Sequence, residues 1–258
     1  MPTLLEEIWN RRSLIILLAF NDVKARYRNS VLGFFWSFLE PLLMLGVLYL
    51  VFTNIFKNSI ENYPIYLLLG LIMWYMFSRA TSMGQTSLLD KAGIVQKIYV
   101  RRELIVLSAC LTSLIMMCFE FVAFAFFAIV FHFIPPSTIL LLPLLIIDLF
   151  ILSLGISLVL SVLTVYFRDI KFVWHVALQV GFFTTPIFYR LEVFPDLIKR
   201  ILELNPMASI VDTAHKIVIY GTLPTIEESL HITISTLIIF LIGYVVFRSK
   251  DKRLVEKI

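Results

Sequence analysis

The feature that most constrains this chain is the length of its uncharged segments. Between Glu103 and Arg168 lie 64 residues, and only Glu120 and Asp148 among them carry a formal charge. A membrane-spanning helix needs about 20 mostly apolar residues, because the hydrocarbon is about 30 Å thick and each residue adds about 1.5 Å. The whole chain is 60% hydrophobic and 16% charged, whereas soluble domains are roughly 45–50% apolar and about 25% charged. The sequence therefore predicts a protein that lies in a lipid bilayer.

Six segments are long and apolar enough to cross that bilayer. Their unbroken apolar runs favour helices over barrel strands, which would alternate over about ten residues. The fifth segment is short and contains Gln179 and Pro186. We therefore predict an all-α integral membrane protein with six transmembrane helices, at residues 32–56, 64–84, 104–133, 139–165, 172–189 and 230–247.

The segment before the first predicted span has the pattern of an amphipathic interfacial helix. Over residues 3–28, apolar side chains recur at three- and four-residue steps, with charged and amide side chains on the opposite face. Such a helix lies in the plane of the interface with its apolar face in the acyl boundary. No small-residue cleavage site follows the apolar run, so a signal peptide is not expected. The expected organisation is an N-terminal helix over 1–31 and a six-span domain over 32–258.

Lys and Arg are distributed unequally between the two sides of the predicted bundle. The segments before residue 32, at 79–103, at 166–171 and from 248 onwards hold 17 of the 22, and the other connections hold 5. Cytoplasmic loops carry an excess of these residues. We therefore expect a multi-pass protein of the cytoplasmic (inner) membrane with both termini in the cytoplasm. The same rule accounts for the net charge of +4 without a nucleic-acid partner.

The connection between the fifth and sixth predicted spans is too long for a turn and too apolar for a solvated loop. The run at 194–196 predicts a helix start, Asn205-Pro206 a break, and Gly221 the end of a second short helix. We interpret 193–221 as a re-entrant amphipathic hairpin that dips into the outer leaflet near a pore mouth. Non-helical backbone at that depth needs shelter by protein or water. The alternative is a pair of helices that rest on the outer surface.

Two cytoplasmic segments are suited to contact with a soluble partner. Segment 85–103 carries a short amphipathic stretch that is too polar to enter lipid and fits a helix-in-groove contact. A simple interfacial helix is the alternative. The tight turn at 166–171 is the second segment. The residues expected to contact the partner are Leu88, Leu89, Ile94, Val95, Ile98, Arg168 and Asp169.

A basic cluster before the first predicted span is a candidate phosphate site. It consists of Lys24, Arg26 and Arg28, and the forked guanidinium of Arg matches phosphate oxygens. These residues are candidates to hold the phosphate of a lipid or of a lipid-linked substrate. General attraction to anionic headgroups explains the cluster equally well.

Aromatic side chains and three carboxylates are candidates for a substrate path. Aromatic rings stack on sugar rings, although interfacial aromatic belts explain each single residue more simply. Glu40, Glu120 and Asp148 lie inside predicted spans, where an acid either faces a watery cavity or is protonated and hydrogen-bonded to another helix. No cation is expected at the same depth, so no buried ion pair is expected. The candidates for channel lining are Trp36, Glu40, Tyr49, Trp174 and Tyr189.

The sequence lacks the common motifs of nucleotide-binding, metal-binding and catalytic chains. It contains no G-x-x-x-x-G-K-[ST], H-E-x-x-H, C-x-x-C or G-x-S-x-G run. A transporter whose energy comes from a separate ATPase is therefore favoured. The alternatives are a membrane enzyme that uses Glu40 or Asp148 on lipid-linked sugars, and an ATPase-linked exporter of a small lipid or drug.

Four sequence runs occur in the order found in a known transporter family. They are DVKARYRNSVLGFFWSFLEPL at 22–42, LLDKAGIVQKIYVRREL at 88–104, YFRDI at 166–170 and LNPM at 204–207. In these runs the chain resembles the permease subunits of type-2 ABC exporters of cell-surface polysaccharide, which include the O-antigen, capsule and teichoic-acid permeases. Within this group it resembles the O-antigen permeases in particular. The chain departs from the family at Val100 or Arg101, where many relatives have Pro.

The resemblance implies an assembly and a set of roles. Two copies would form a twelve-span channel above two copies of a nucleotide-binding ATPase subunit, which would bind ATP and Mg, while this chain would bind no cofactor. Residues 88–98 would be the coupling helix and the N-terminal helix a gate helix. The 194–220 hairpin, with Asn205 and Pro206 at its break, would form paired periplasmic gate helices. The cargo would be a polysaccharide on polyprenyl pyrophosphate.

Overall fold

The computed structural model describes residues 4–26, 28, 30, 32–56, 60, 62–97 and 101–254. Across these residues the secondary structure is helical, so the prediction of an all-α protein is confirmed. The helices are α1 (Leu4–Asn10), α2 (Arg12–Arg26), α3 (Trp36–Phe56), α4 (Tyr63–Asp90), α5 (Ala92–Lys97), α6 (Glu103–Val130), α7 (Leu142–Tyr166), α8 (Ile170–Thr184), α9 (Asp196–Glu203), α10 (Pro206–His215) and α11 (Ile226–Leu254).

Four of the described helices are long and apolar enough to span a membrane. They are α4, α6, the Ser137–Tyr166 unit that contains α7, and the Ile226–Lys250 part of α11. The other two predicted spans coincide with shorter apolar helices within α3 and α8. With 15 residues, α8 is about 22 Å long, which is less than the roughly 30 Å of hydrocarbon. The count of six spans therefore stays a prediction.

The short length of α8 has a local cause. Thr185, which precedes Pro186, has an extended backbone (φ −99°, ψ 136°), as the ring of a following proline favours. The helix accordingly ends at Thr184, five residues before the predicted end at 189. The chain then turns back onto α4, where the Tyr63 hydroxyl donates to the Phe188 carbonyl at 3.0 Å.

The central helix of the fold is α4, which is buried along most of its length. Helices α3, α6, α7, α8 and α10 pack against it. It extends to Asp90, six residues beyond the predicted end at 84, because the polar side chains of Gln85 and Ser87 are buried between helices. The Ser87 hydroxyl donates to the Gly84 carbonyl at 2.8 Å. The first six residues of the 85–103 segment predicted to contact a partner therefore belong to this helix.

The packing of α7 against α11 depends on two glycines. A Cβ on Gly243 would overlap the carbonyl oxygen of Gly155, and one on Gly155 would lie 2.6 Å from the Cα of Phe240. Small residues at a crossing let two membrane helices approach closely. The two backbones therefore come closer here than any other residue type allows.

We expect Gly243→Ala to lower the stability of the protein by about 1–3 kcal/mol, the usual cost of overpacking. The measurement is the unfolding midpoint of the detergent-solubilised protein. Gly46→Ala is the matched control, since a Cβ at Gly46 meets no atom within 4 Å. A Gly243→Ala variant as stable as Gly46→Ala would contradict the close α7–α11 contact.

The N-terminal segment forms two helices, α1 and α2, and not the single helix predicted over 3–28. Helix α2 packs on α6, and the Thr112 hydroxyl donates to the Ala19 carbonyl at 3.3 Å. Only one stripe of α2 is buried, while Ile16 and Phe20 on another stripe are exposed. Helix α2 is therefore docked on the bundle, and its second apolar stripe remains available for contact with lipid. The buried stripe consists of Ile15, Leu18, Ala19 and Val23.

The segment between α8 and α11 contains the two predicted short helices, with the break at Asn205-Pro206. The Asn205 carboxamide caps α10 by accepting from the Met207 N–H at 3.0 Å, and Pro206 occupies the first turn, where its missing N–H costs nothing. A π-turn over Lys216–Tyr220 follows α10 and ends at Gly221, which has φ 66°. Helix α10 is largely buried and α9 has no buried residue. Whether this hairpin enters the bilayer stays a prediction.

Candidate functional site

A groove of about 590 Å³ opens where the end of α2, α3 and α4 meet. Arg26, the last residue of α2, and Ser30 lie at one part of its wall, with Trp36 and Glu40 of α3 beside them. Among the described residues, the rest of the wall consists of Leu43, Met44, Val47 and Tyr75, and it is apolar apart from the Tyr75 hydroxyl. A guanidinium beside an apolar wall suits an amphiphile with an anionic head.

The groove brings together three of the predicted site residues, Arg26, Trp36 and Glu40. Lys24 and Arg28 are exposed and are not among the described lining residues. Tyr49 lies apart from the groove, with its ring centroid 6.4 Å from that of Tyr63. Arg26 is therefore the member of the predicted basic cluster that lines a cavity.

A buried ion pair lies next to the groove. The Arg79 Nη1 of α4 is 2.5 Å from the Glu120 Oε1 of α6, and the exposed fractions of the two side chains are 8% and 0%. The Arg79 guanidinium carbon lies 6.0 Å from the ring centroid of Tyr75, which lines the groove. The pair therefore joins the two helices directly behind this wall.

The expectation that no cation lies at the depth of the intramembrane acids is wrong. From the sequence, Arg79 is grouped with the cytoplasmic cations, but α4 continues for eleven residues beyond it. The sequence did contain an indication that the helix continues past Arg79, because no charged residue occurs between Arg79 and Asp90. Its partner Glu120 lies 41 residues away in the chain, and no periodicity connects the two.

A further one of the three predicted intramembrane acids, Asp148, contacts a neighbouring helix. The Thr233 hydroxyl of α11 donates to the Asp148 Oδ2 at 3.5 Å. This contact agrees with a hydrogen bond between helices, which is one of the two interpretations of an acid in a span. Within the part of the chain that the structure describes, no group of three His, Cys, Asp or Glu residues is placed to hold a metal ion.

The structure separates the predicted partner-contact residues. Leu88 is fully buried in a cluster with Ile105, Val162 and Phe247, which disagrees with a contact to a partner, because α4 extends through this position. Leu89 and Ile94 are half-buried. The side chain of Val95 and the whole of Ile98 lie outside the described residues. Arg168 and Asp169 are exposed in the turn between α7 and α8.

Two ion pairs join the N-terminal helices to the two ends of the segment around α5. The Lys91 Nζ, at the junction of α4 and α5, lies 2.6 Å from the Asp22 Oδ2 of α2. The Arg101 Nε, before α6, lies 3.1 Å from the Glu7 Oε2 of α1. Periodicity alone did not indicate these contacts. They connect the basic end of the groove with the segment predicted to contact a partner.

Neither of the two channel-lining candidates near α8 is fully exposed. Tyr189 is buried, its hydroxyl donates to the Phe183 carbonyl at 3.0 Å, and its own carbonyl accepts from the Tyr66 hydroxyl at 2.7 Å. This position disagrees with a channel-lining role, because the turn after α8 folds back onto α4. Trp174 is half-buried, and its indole N–H donates to the Thr81 hydroxyl at 3.1 Å.

The sequence matches a known family of membrane transporters. A family model described as ABC-2 type transporter matches residues 13–219, which include the groove, the ion pair and the α9–α10 hairpin. The chain belongs to the ABC-2 type transporter family. It is therefore a membrane-embedded, multi-pass transporter subunit and not an enzyme, and the family implies a partner ATPase.

Individual relatives match the ABC-2 chain along nearly all of its length. It is 27% identical to the O-antigen export system permease protein RfbA of Myxococcus xanthus, over all of both chains. It is 28% identical to a protein of the same name from Klebsiella pneumoniae, over 94% of both chains. It is also 24% identical to the polysialic acid transport protein KpsM of Escherichia coli, over 91% of this chain and 92% of KpsM.

Proposed function

We propose that this ABC-2 subunit is the permease of an ATP-driven exporter that moves an O-antigen-type polysaccharide, linked to polyprenyl pyrophosphate, across the inner membrane. The observation that carries the proposal is the similarity to two O-antigen export permeases over essentially the whole chain. The groove supports a lipid-linked cargo, because Arg26 offers donors to a phosphate and the neighbouring wall is apolar. A capsular polysaccharide is the second candidate, favoured by the similarity to KpsM.

The proposed assembly is a homodimer with six spans in each copy, on two ATPase subunits that bind ATP and Mg. Helix α8 supports the pairing of two copies. It is a short apolar helix, and a continuous row of its apolar side chains is exposed. A second copy that covers this face would shelter a helix too short to cross the bilayer alone. The exposed row consists of Phe172, Val176, Val180 and Phe183.

The ATPase is proposed to dock beneath α5 and the α7–α8 turn. Leu89 and Ile94 keep part of their surface accessible, and Arg168 and Asp169 are exposed. Movement of α5 would pull on α2 through the Lys91–Asp22 pair and on α1 through the Arg101–Glu7 pair. In this way ATP hydrolysis would move the N-terminal gate helix and, with it, Arg26 at the groove.

The α9–α10 hairpin is proposed to close the channel on the periplasmic side. Helix α10 is fixed to the bundle, whereas Leu197 and Ile201 of α9 are 73% and 58% exposed. An exposed apolar face fits either the outer leaflet or the same hairpin of a second copy. The termini are proposed to lie in the cytoplasm, because most Lys and Arg residues lie in the terminal segments and in the connections on the same side of the bundle as the termini.

We expect Arg26→Ala to reduce polymer export about tenfold or more while the amount of protein in the membrane stays unchanged. A charge-assisted hydrogen bond to phosphate contributes about 1.5–3 kcal/mol, and 1.4 kcal/mol corresponds to a factor of ten. Export is measured as polymer on the cell surface. The control is Arg12→Ala, whose guanidinium lies over Trp9 and outside the groove. Equal export by both variants would argue for general headgroup attraction.

The proposed function as a whole is tested by deletion and reconstitution. Cells without this chain should accumulate lipid-linked polymer inside, and the chain with its ATPase in vesicles should translocate that polymer only when ATP is supplied. Surface polymer in the deletion strain would contradict the proposal. Bond formation or cleavage by the purified chain without ATP would favour a membrane enzyme instead.

A further inference from the structure

A separate cavity of about 320 Å³ lies between the start of α4, the segment after α8 and the end of α10. None of its described lining residues also lines the groove at Arg26. His215, the last residue of α10, is 1% exposed and lines this cavity. The hydrogen bonds of its two ring nitrogens indicate which kind of ligand the cavity can bind.

One ring nitrogen of His215 is hydrogen-bonded to a described residue and the other is not. The Nε2 lies 2.9 Å from the Tyr66 carbonyl oxygen, and because a carbonyl oxygen only accepts, the proton is on Nε2. Burial lowers the pKa of His215 to about 3, so the ring is neutral and Nδ1 keeps its lone pair. Among the residues that the structure describes, none donates to Nδ1.

The ring of His215 cannot turn easily to satisfy this acceptor elsewhere. It is stacked on the Tyr66 ring, with centroids 3.5 Å apart and an interplanar angle of 13°. A buried acceptor without a donor costs about 1–3 kcal/mol. The cavity is also about ten times the roughly 30 Å³ that one water occupies in the liquid, so it has room for a larger donor.

The charged groups around the cavity are already paired with each other. The Lys216 Nζ lies 2.9 Å from Asp212 Oδ2 and 2.7 Å from Glu228 Oε1, and the Arg190 Nε lies 3.3 Å from Glu192 Oε2. The lining holds two cations, Arg190 and Lys216, and two carboxylates, Glu192 and Asp212, so its formal charges cancel. An anion would find no spare positive charge among the described lining residues, whereas a neutral ligand with many hydroxyl groups finds both donors and acceptors there.

We propose that this cavity is a binding subsite for one neutral sugar residue, with His215 Nδ1 accepting a hydrogen bond from a sugar hydroxyl. The inference rests on the proposed export of a polysaccharide and adds where, and in what chemical form, the glycan is held. The volume falls within the range of small-ligand pockets, about 300–1,000 Å³. A neighbouring cavity of about 540 Å³ shares Asp212 and Lys216 with it, and it offers space for the next residue of a chain.

The test measures sugar binding by the permease–ATPase complex in lipid nanodiscs, with saturation-transfer NMR on methyl glycosides of neutral hexoses. Glucuronate and inorganic phosphate serve as anionic probes. The main variant is His215→Gln, because the amide nitrogen of Gln can replace the Nε2 donor to Tyr66 while the Nδ1 acceptor is lost. His132→Gln, at an exposed position after α6, is the matched control. Thr222→Val, which changes the exposed rim of the cavity, serves if His215→Gln does not fold.

We expect a neutral glycoside to bind to wild type and to His132→Gln, and to bind about fivefold to tenfold more weakly to His215→Gln or Thr222→Val, the effect of one lost hydrogen bond. Equal binding by the variants and wild type would overturn the subsite. Binding of glucuronate or phosphate in this cavity with the same affinity as the neutral glycoside would overturn the assignment to neutral sugars. If the complex exports polymer but these variants bind as wild type does, only the subsite fails; if the hexosides bind here but no polymer is exported, the proposed function fails.

Discussion

Arg79→Ala is expected to destabilise the protein by about 3–5 kcal/mol, because it leaves the fully buried Glu120 carboxylate without its counter-ion. Glu120→Ala should have a similar effect by leaving the guanidinium unpaired. The Nε and Nη2 of Arg79 and the Oε2 of Glu120 have no hydrogen-bond partner among the described residues, so no second contact can replace the lost one. The measurement is the unfolding midpoint in detergent together with the amount of protein in the membrane.

The double variant Arg79→Met with Glu120→Leu distinguishes the loss of the ion pair itself from the cost of leaving one buried charge without a partner. Replacing both charges by apolar side chains of similar volume is often neutral or stabilising, so the double variant should be more stable than either single one. The control is Lys199→Ala, which removes an exposed pair with Glu203 on α9 and should cost less than about 1 kcal/mol. Single Arg79 or Glu120 variants as stable as the Lys199 variant would show that the pair contributes little.

Ile94→Asp is expected to abolish copurification of the ATPase and to lower polymer export at least about tenfold. If Ile94 seats in an apolar groove of the partner, the new carboxylate must be buried without a counter-ion, which costs several kcal/mol. A loss of 1.4 kcal/mol already weakens binding tenfold. Copurification and export are measured together with the level of the permease in the membrane.

Ile134→Asp is the matched control for the coupling variant. Ile134 is 87% exposed in the connection between α6 and α7, at the end of the bundle opposite α5, so the same substitution there should leave ATPase binding and export unchanged. Intact assembly and export with Ile94→Asp would mean that α5 does not couple to the ATPase. The exposed Arg168–Asp169 turn would then be the remaining candidate.

Local patterns were sufficient to predict most helices and several of their ends. Apolar length indicated α4, α6, α7 and α11, and Asn205-Pro206 marked the break between α9 and α10 because a cap and a proline act on their own neighbours. The same local rules misjudged the end of α4. Gln85 and Ser87 are polar by composition but are buried by other helices, and no pattern within the segment contains that information.

The candidate site was predictable only in part. Arg26, Trp36 and Glu40 could be selected by residue type and position in the chain, and they line one groove. The same criteria selected Leu88 and Tyr189, which are buried within the chain. Residue type does not reveal which face of a helix a neighbouring helix covers, so accessible and covered candidates could not be separated.

The sequence by itself determined that this is a helical membrane protein without a recognisable nucleotide-binding motif, because hydropathy and motif spacing are properties of consecutive residues. Only the tertiary structure paired Arg79 with Glu120, Lys91 with Asp22, and His215 with Tyr66, across 41, 69 and 149 positions. Such contacts depend on how helices cross and rotate against each other. That arrangement is set by the packing of the whole bundle, in which α4 lies at the centre.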